Sequence, residues 1–213
     1  MTFIEIPASK KSLAKRKRVC GKGINDAWYM VTGRGANGKK TICPYYRKWD
    51  SMIQRCYLPA AIKRRPNYIG CFVCEEWLVF SKFLIWIERQ EKIYRLLFGM
   101  NIFILELDKD IRIIGNQRYI DEACCFATGQ VNRLLGNHGA ARGPYPQGVS
   151  LDGKRYVAEL SIEAKSKHLG RFDTPEEASI AYRRAKKAEI IRVAGLQKDI
   201  RIRDGLLRHA ELF

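Results

Sequence analysis

The stretch ELDKDIRIIGNQRYIDEACCFATGQVN, residues 106 to 132, gathers three carboxylates, Glu106, Asp108 and Asp110, around the single lysine Lys109. Gly115-Asn116 follows as a tight-turn pair, and a helix-like run then carries Asn132. Carboxylate and amide oxygens are the donors that a hard divalent cation such as magnesium or manganese takes. Metal-assisted hydrolysis also needs a general base. An ordinary lysine, with a pKa near ~10.4, fills that role only when burial or a neighbouring cation depresses it strongly.

Charge suggests what such a site would act on. The 213 residues carry 39 Lys and Arg against 22 Asp and Glu, a net charge of +17 that is the footprint of a nucleic-acid binder. The excess is largest in the first 48 residues, which hold 12 basic and 2 acidic side chains. There KKSLAKRKR, with Lys15, Arg16, Lys17 and Arg18, reads as a flexible polybasic run for nonspecific phosphate contact. No stretch is apolar for the ~18 to 20 residues that cross a bilayer, and the N-terminus lacks the order of a secretory signal. Seven cysteines without the spacing of a small secreted domain point to reduced thiols in a cytoplasm. Cys71 and Cys74 form a Cys-x-x-Cys pair which, with Cys43 and Cys56, offers four thiolates for a structural zinc. No second tight pair exists, and Cys56 and Cys74 fall on apolar helical stripes, so packing as small hydrophobes is the stronger reading.

The elements that would position these residues divide into three segments: a basic arm over 1–42, a middle domain over 43–138 and a C-terminal domain over 139–213. The arm is glycine-rich, with one short strand at 27–32. In the middle, Trp49, Met52, Ile53 and Cys56 recur at i, i+3, i+4 and i+7, an apolar helical stripe, and a second helix buries Trp77, Phe80, Phe83 or Leu84, and Ile87. FILELDKDI then reads as a strand, RIIGNQRYI as a turn and return strand, and CCFATGQVNRLLG as a short helix stopped at Gly136. A glycine- and proline-rich linker follows. Beyond it, GVSL and RYVAELSI are two strands joined by the Asp152-Gly153 turn, SKHLGRF is a third, and Thr174, Pro175 and Glu177 open a helix with a capping box. The apolar face of that helix is Ala178, Ala181, Tyr182, Ala185, Ala188 and Ile191. The expected fold class is α+β: a helical N-terminal part leading into a hairpin and helix, then a three-stranded antiparallel sheet packed on one helix.

Two resemblances sharpen these expectations. QGVSLDGKRYVAEL and HLGRFDTPEEASIAYRRAKKAEI, over roughly residues 145 to 194, resemble the Apetala-two/ethylene-response-factor DNA-binding domain, in which a three-stranded sheet reads the major groove. The resemblance implies DNA contacts from Lys154, Arg155, Tyr156, Lys167 and Arg171. CPYYRKWDSMIQRCY, RPNYIGCFVCEEWLVFSKFLIW and the 106–132 stretch resemble the HNH (ββα-metal) endonucleases of phages, many of which end in an Apetala-two-like module. That resemblance implies a metal carboxylate at Asp108, a loop prop at Asn116 and a helix ligand at Asn132, around magnesium or manganese. Lys109 stands where the base histidine would be. Three readings of it are open: an activated base, a phosphate or leaving-group contact, or the mark of a hairpin kept only for binding. His138, in the linker, is a further candidate ligand or base, against the reading of a solvated loop residue. His168 suits packing or DNA contact, and His209 carries no signal. The implied function is a metal-dependent duplex-DNA endonuclease, of nicking or homing type, with a non-catalytic DNA-binding or regulatory protein and a host-factor interaction protein as alternatives.

Overall fold

The computed structural model describes residues 3–34, 38–136, 144–163 and 165–213. The fold is α+β and divides into two compact units, residues 1–110 with 115–124, and residues 111–114 with 125–213. The division therefore falls near residue 124, ahead of the glycine-rich stretch around 139. The reason is the short helix carrying Asn132, whose Val131 and Leu134 join a core built from the C-terminal helices.

The first unit contains α1 (Lys10–Ala14), β1 (Thr32–Arg34), β2 (Lys40–Ile42), α2 (Pro44–Tyr57), α3 (Pro59–Arg64), β3 (Phe72–Val73), α4 (Phe80–Phe98), β4 (Glu106–Asp108) and β5 (Arg118–Tyr119). In α2 the expected stripe is the buried one: Trp49, Met52, Ile53 and Cys56. It stops because Leu58 precedes Pro59, and a residue before proline is driven out of the helical region to φ −89°, ψ 112°. Helix α4 ends at Gly99, whose left-handed φ of 64° lets Gly99 and Met100 donate to the carbonyls of Arg95 and Tyr94. The Trp77 ring packs against Trp86 of α4 with centroids 4.4 Å apart and planes tilted by 44°. Two buried indole N–H groups are satisfied: Trp49 Nε1 donates to the Trp77 carbonyl and Trp86 Nε1 to Asp121, both at 2.7 Å.

Two expectations for this unit change. Residues 3–34 and 38–42 are not a loose arm. Tyr29 is 1% exposed, and the Arg16 guanidinium donates to the carbonyls of Asn25, Ala27 and Tyr29, which turns one of the expected phosphate contacts into an internal clamp. The 27–32 strand is instead Thr32–Arg34, paired antiparallel with Lys40–Ile42. The expected hairpin is also absent. Arg118–Tyr119 pairs in parallel with Phe72–Val73 rather than folding back on β4, so residues 109–117 are a loop held by side chains.

The second unit contains β6 (Cys125–Ala127), α5 (Gly129–Leu135), β7 (Val149–Asp152), β8 (Arg155–Ile162), β9 (Lys165–Phe172), α6 (Pro175–Gly195) and α7 (Ile200–Ala210). Strands β7, β8 and β9 form an antiparallel sheet in sequence order, turned at Gly153 with φ 63°. Helix α6 starts with the expected capping box: Thr174 accepts from Glu177 N, and the Glu177 carboxylate accepts from Thr174 N. Its first half covers the sheet through Ala178 and Tyr182, while Ile190, Val193 and Ala194 pack with Ile202 and Leu206 of α7. That second packing shifts the expected apolar face, and Ala188 and Ile191 lie exposed.

Candidate functional site

Asp108 ends β4 half-buried, and its Oδ1 accepts from the backbone N–H of Asp110 at 2.8 Å. The loop beyond is closed by Asn116. Its amide nitrogen donates to the carbonyls of Lys109 at 2.6 Å and Arg118 at 2.7 Å, and its Oδ1 accepts from Arg118 N at 3.2 Å. Asn116 therefore ties together the two ends of the loop that follows Asp108. Lys109 fills the loop from within. It is 7% exposed, and its ammonium sits 3.0 Å from Asp110 Oδ2 and donates to the Asn116 carbonyl at 3.0 Å.

This placement bears on the three readings of Lys109. Burial pushes its pKa down, but the charge and hydrogen bond of Asp110, with Cys71 and Asp108 nearby, outweigh burial and leave it raised. The ammonium form is favoured, which is the opposite of what an activated base requires. An ammonium spent on Asp110 and a carbonyl inside the loop is also poorly placed to reach a phosphate from solvent. Within this environment Lys109 organises the loop.

A cation that the sequence reading missed lies beside it. The Arg55 guanidinium, from α2, donates to the carbonyl of Leu107, the residue before Asp108, at 3.3 Å. It lies over the rings of Tyr68 and Tyr119, with centroids 5.8 and 5.3 Å away, and Lys109 Nζ stands 5.8 Å from the same Tyr68 ring. Burial opposes its charge, but Tyr119 and Tyr68 more than restore it, so its pKa is raised. The one signal in the sequence is position: Arg55 adjoins Cys56 at the edge of the Trp49 stripe.

Asn132 belongs to the second unit, in α5, where its N–H donates to the Thr128 carbonyl at 3.2 Å and Thr128 caps the helix. His138 lies outside the described residues. His209 falls in the last turn of α7.

For a hard divalent cation the donor chemistry at the loop fits in kind. Asp108 offers a carboxylate on a backbone fixed at both ends, with the Asp110 carboxylate two residues on. The thiols fit zinc less well. Burial pushes Cys56 up to about 12, and Cys71 and Cys74 are also raised, chiefly by burial, as expected of thiols packed as small hydrophobes. The Cys43 sulfur contacts the Tyr29 hydroxyl at 3.5 Å, and Cys71 lies 3.8 Å from the Asn67 carbonyl. Among the described residues no three His, Cys, Asp or Glu side chains form a metal-holding group.

The second candidate surface is the sheet of the second unit. Tyr156, expected toward DNA, packs instead against the Ala158, Leu160, Ala178 and Tyr182 core, on the side covered by α6. The register puts Arg155, Val157 and Glu159 on the opposite, open face, together with Asp152 and Arg171. Between Ala158 and Glu159 the pairing with β9 shifts: Ala158 faces Gly170 while Glu159 faces His168, leaving Leu169 as an extra residue. The shift flips the alternation along β9. His168 joins Arg171 on the open face, and Lys167, opposite Leu160, turns to the other side. Both open-face arginines are ion-paired within the unit, Arg155 with Asp173 at 2.9 Å and Arg171 with Asp152. Lys154 is exposed at the β7–β8 turn, and Lys15, Lys17 and Arg18 are exposed in the first unit.

Comparison with protein-family models, with curated proteins and with solved structures gave no match.

Proposed function

We propose that this protein is a divalent-metal-dependent endonuclease of duplex DNA, in which the open face of the β7–β9 sheet grips the duplex and the Asp108 loop serves phosphodiester hydrolysis. The observation that carries the reading is the loop itself: a half-exposed carboxylate that accepts from Asp110 N at the start of a loop closed by Asn116 from across and by Lys109 from inside. Sites of this chemistry need such preorganisation, since a loosely held ligand loses rate before it loses fold. Magnesium or manganese held by Asp108 would supply positive charge to the phosphate being cleaved. Asn116 fixes the backbone that carries Asp108, Arg55 holds the preceding carbonyl, and Lys109 keeps Asp110 turned into the loop. On the sheet, Arg155 and Arg171 are donors suited to phosphate or to guanine edges.

Supercoiled plasmid incubated with the wild type and magnesium or manganese becomes nicked, and a chelator stops the reaction. Asp108→Ala lowers the rate by at least about 100-fold, more than the usual loss for a group that only supports a ligand. If wild type and variant leave the plasmid equally intact, the hydrolytic reading is lost.

A second reading, a DNA-binding protein that no longer cuts, is favoured by Lys109, whose ammonium is engaged inside the loop where a base would stand. It predicts an intact plasmid together with duplex binding that weakens steeply with salt.

A further inference from the structure

A cavity of about 300 Å³ lies within the second unit, lined by α5, the end of β8 and one side of α6. Part of its lining is apolar, from Leu134, Leu160 and Tyr182, and part is polar, from Gln130, Gln147 and the exposed Arg133 at the rim. The remaining feature is Lys186, which also lines the cavity and is only 4% exposed. No described residue forms an ion pair or hydrogen bond with its ammonium, which faces the Tyr182 ring at 5.9 Å. The acid three residues along, Glu189, is committed elsewhere: both its oxygens accept from Arg192, at 2.8 and 2.7 Å. Glu163, on the same cavity wall, accepts from Gln130 at 3.4 Å.

A buried ammonium without a counter-ion is costly, and burial accordingly pushes the Lys186 pKa down. A methionine there would pack as well without that cost. An anion entering the cavity would remove the penalty, and the cavity is concave, partly apolar and of the size at which small-ligand sites begin. Glu189 is neutralised by Arg192, so Glu163 set against Lys186 and the exposed Arg133 leaves a single positive excess, which suits a monoanion better than a dianion. The Tyr182 and leucine surfaces suit an apolar body.

We propose that this cavity binds a small organic monocarboxylate, with its carboxylate on Lys186 and its apolar body against Tyr182, Leu134 and Leu160. The site is independent of the nuclease reading, because no DNA contact or Asp108 chemistry enters it. The test uses the full chain with benzoate as probe, benzyl alcohol as its neutral counterpart and inorganic phosphate as the dianionic arm. Benzoate should raise the unfolding temperature of the wild type saturably, and the two controls should not. With ¹³C-labelled lysine, one Cε resonance should shift along the same binding curve. Lys186→Met should fold at least as stably as the wild type without ligand and bind benzoate at least about tenfold more weakly, the loss expected for a charge-assisted contact. The NMR titration of the wild type stands even if that variant fails to fold. An absent or unsaturable response to benzoate, an equal response to benzyl alcohol, a response to phosphate in place of benzoate, or a folded Lys186→Met that keeps its benzoate affinity overturns the proposal.

Discussion

Asn116 and Lys109 organise the candidate site at the level of single residues, and their effects separate. Asn116 makes three hydrogen bonds with one side chain, two to the carbonyls of Lys109 and Arg118 and one from Arg118 N. Asn116→Ala should therefore lower nicking by about 10–100-fold through a loosened Asp108, as losing a supporting contact does. Single-turnover rates at saturating DNA are the measurement, and an unchanged rate would show that the loop needs no prop. The Gly-Asn pair after a strand marked the turn at Asn116, while its role as a prop came only from the resemblance. The role of Lys109 was not legible. Whether a lysine is a base or a brace depends on what lies within reach, and Asp110 and the Asn116 carbonyl close around it only in three dimensions. Arg55 was hidden for the same reason, since its partners Tyr68, Leu107 and Tyr119 are far from it in the chain.

Among the elements, helices and turns were easier to read than strand faces. The α2 stripe and the α6 capping box are local patterns, set by spacing along the chain, and both hold. The hairpin expected from 103 to 120 failed because pairing is a choice between partners, and β5 takes β3. Along β9 the shift at Leu169 defeats any period-two reading, and it moves Lys167 away from the face that carries Arg171. This gives a sharp contrast. Arg155→Ala and Arg171→Ala should each weaken duplex binding and lower the salt slope by about 1, while stability changes by no more than about 1 kcal/mol, since the ion pairs they lose are exposed. Tyr156→Ala should instead destabilise the second unit, by about 2 kcal/mol or more for a large side chain packed at the core, with little change in the salt slope. Fluorescence anisotropy across a salt series and urea unfolding measure the two effects, and a reversal of the pattern would place the DNA on the other face.

At the scale of the whole molecule, buried thiols should make stability depend on pH, and Cys56 of the first unit is the clearest case. Cys56, 5% exposed, keeps its proton up to about 12 in the folded unit because of burial and the neighbouring Cys71, against the ordinary value of 9.0 once unfolded. Above pH 9 the unfolded chain therefore binds fewer protons than the folded one, and stability falls as pH rises, by about 1.4 kcal/mol per pH unit for such a thiol. Below pH 9 its contribution is fully present. Urea unfolding of the first unit at pH 8, 9 and 10 should show this slope, and Cys56→Ala should reduce it by that amount; a slope unchanged in the variant would assign the alkaline loss to other groups. That the units divide near residue 124 was not visible in composition, because the glycine-rich stretch near 139 is the stronger local signal while the packing of Val131 and Leu134 is long-range. The central claim, hydrolysis served by a metal at Asp108, is tested most directly by anomalous diffraction from crystals of the protein with duplex DNA and manganese. The account predicts a manganese peak with an Asp108 oxygen at about 2.0–2.4 Å and a DNA phosphate on the same ion. A complex with DNA seated on the sheet, and no manganese at Asp108, would contradict it.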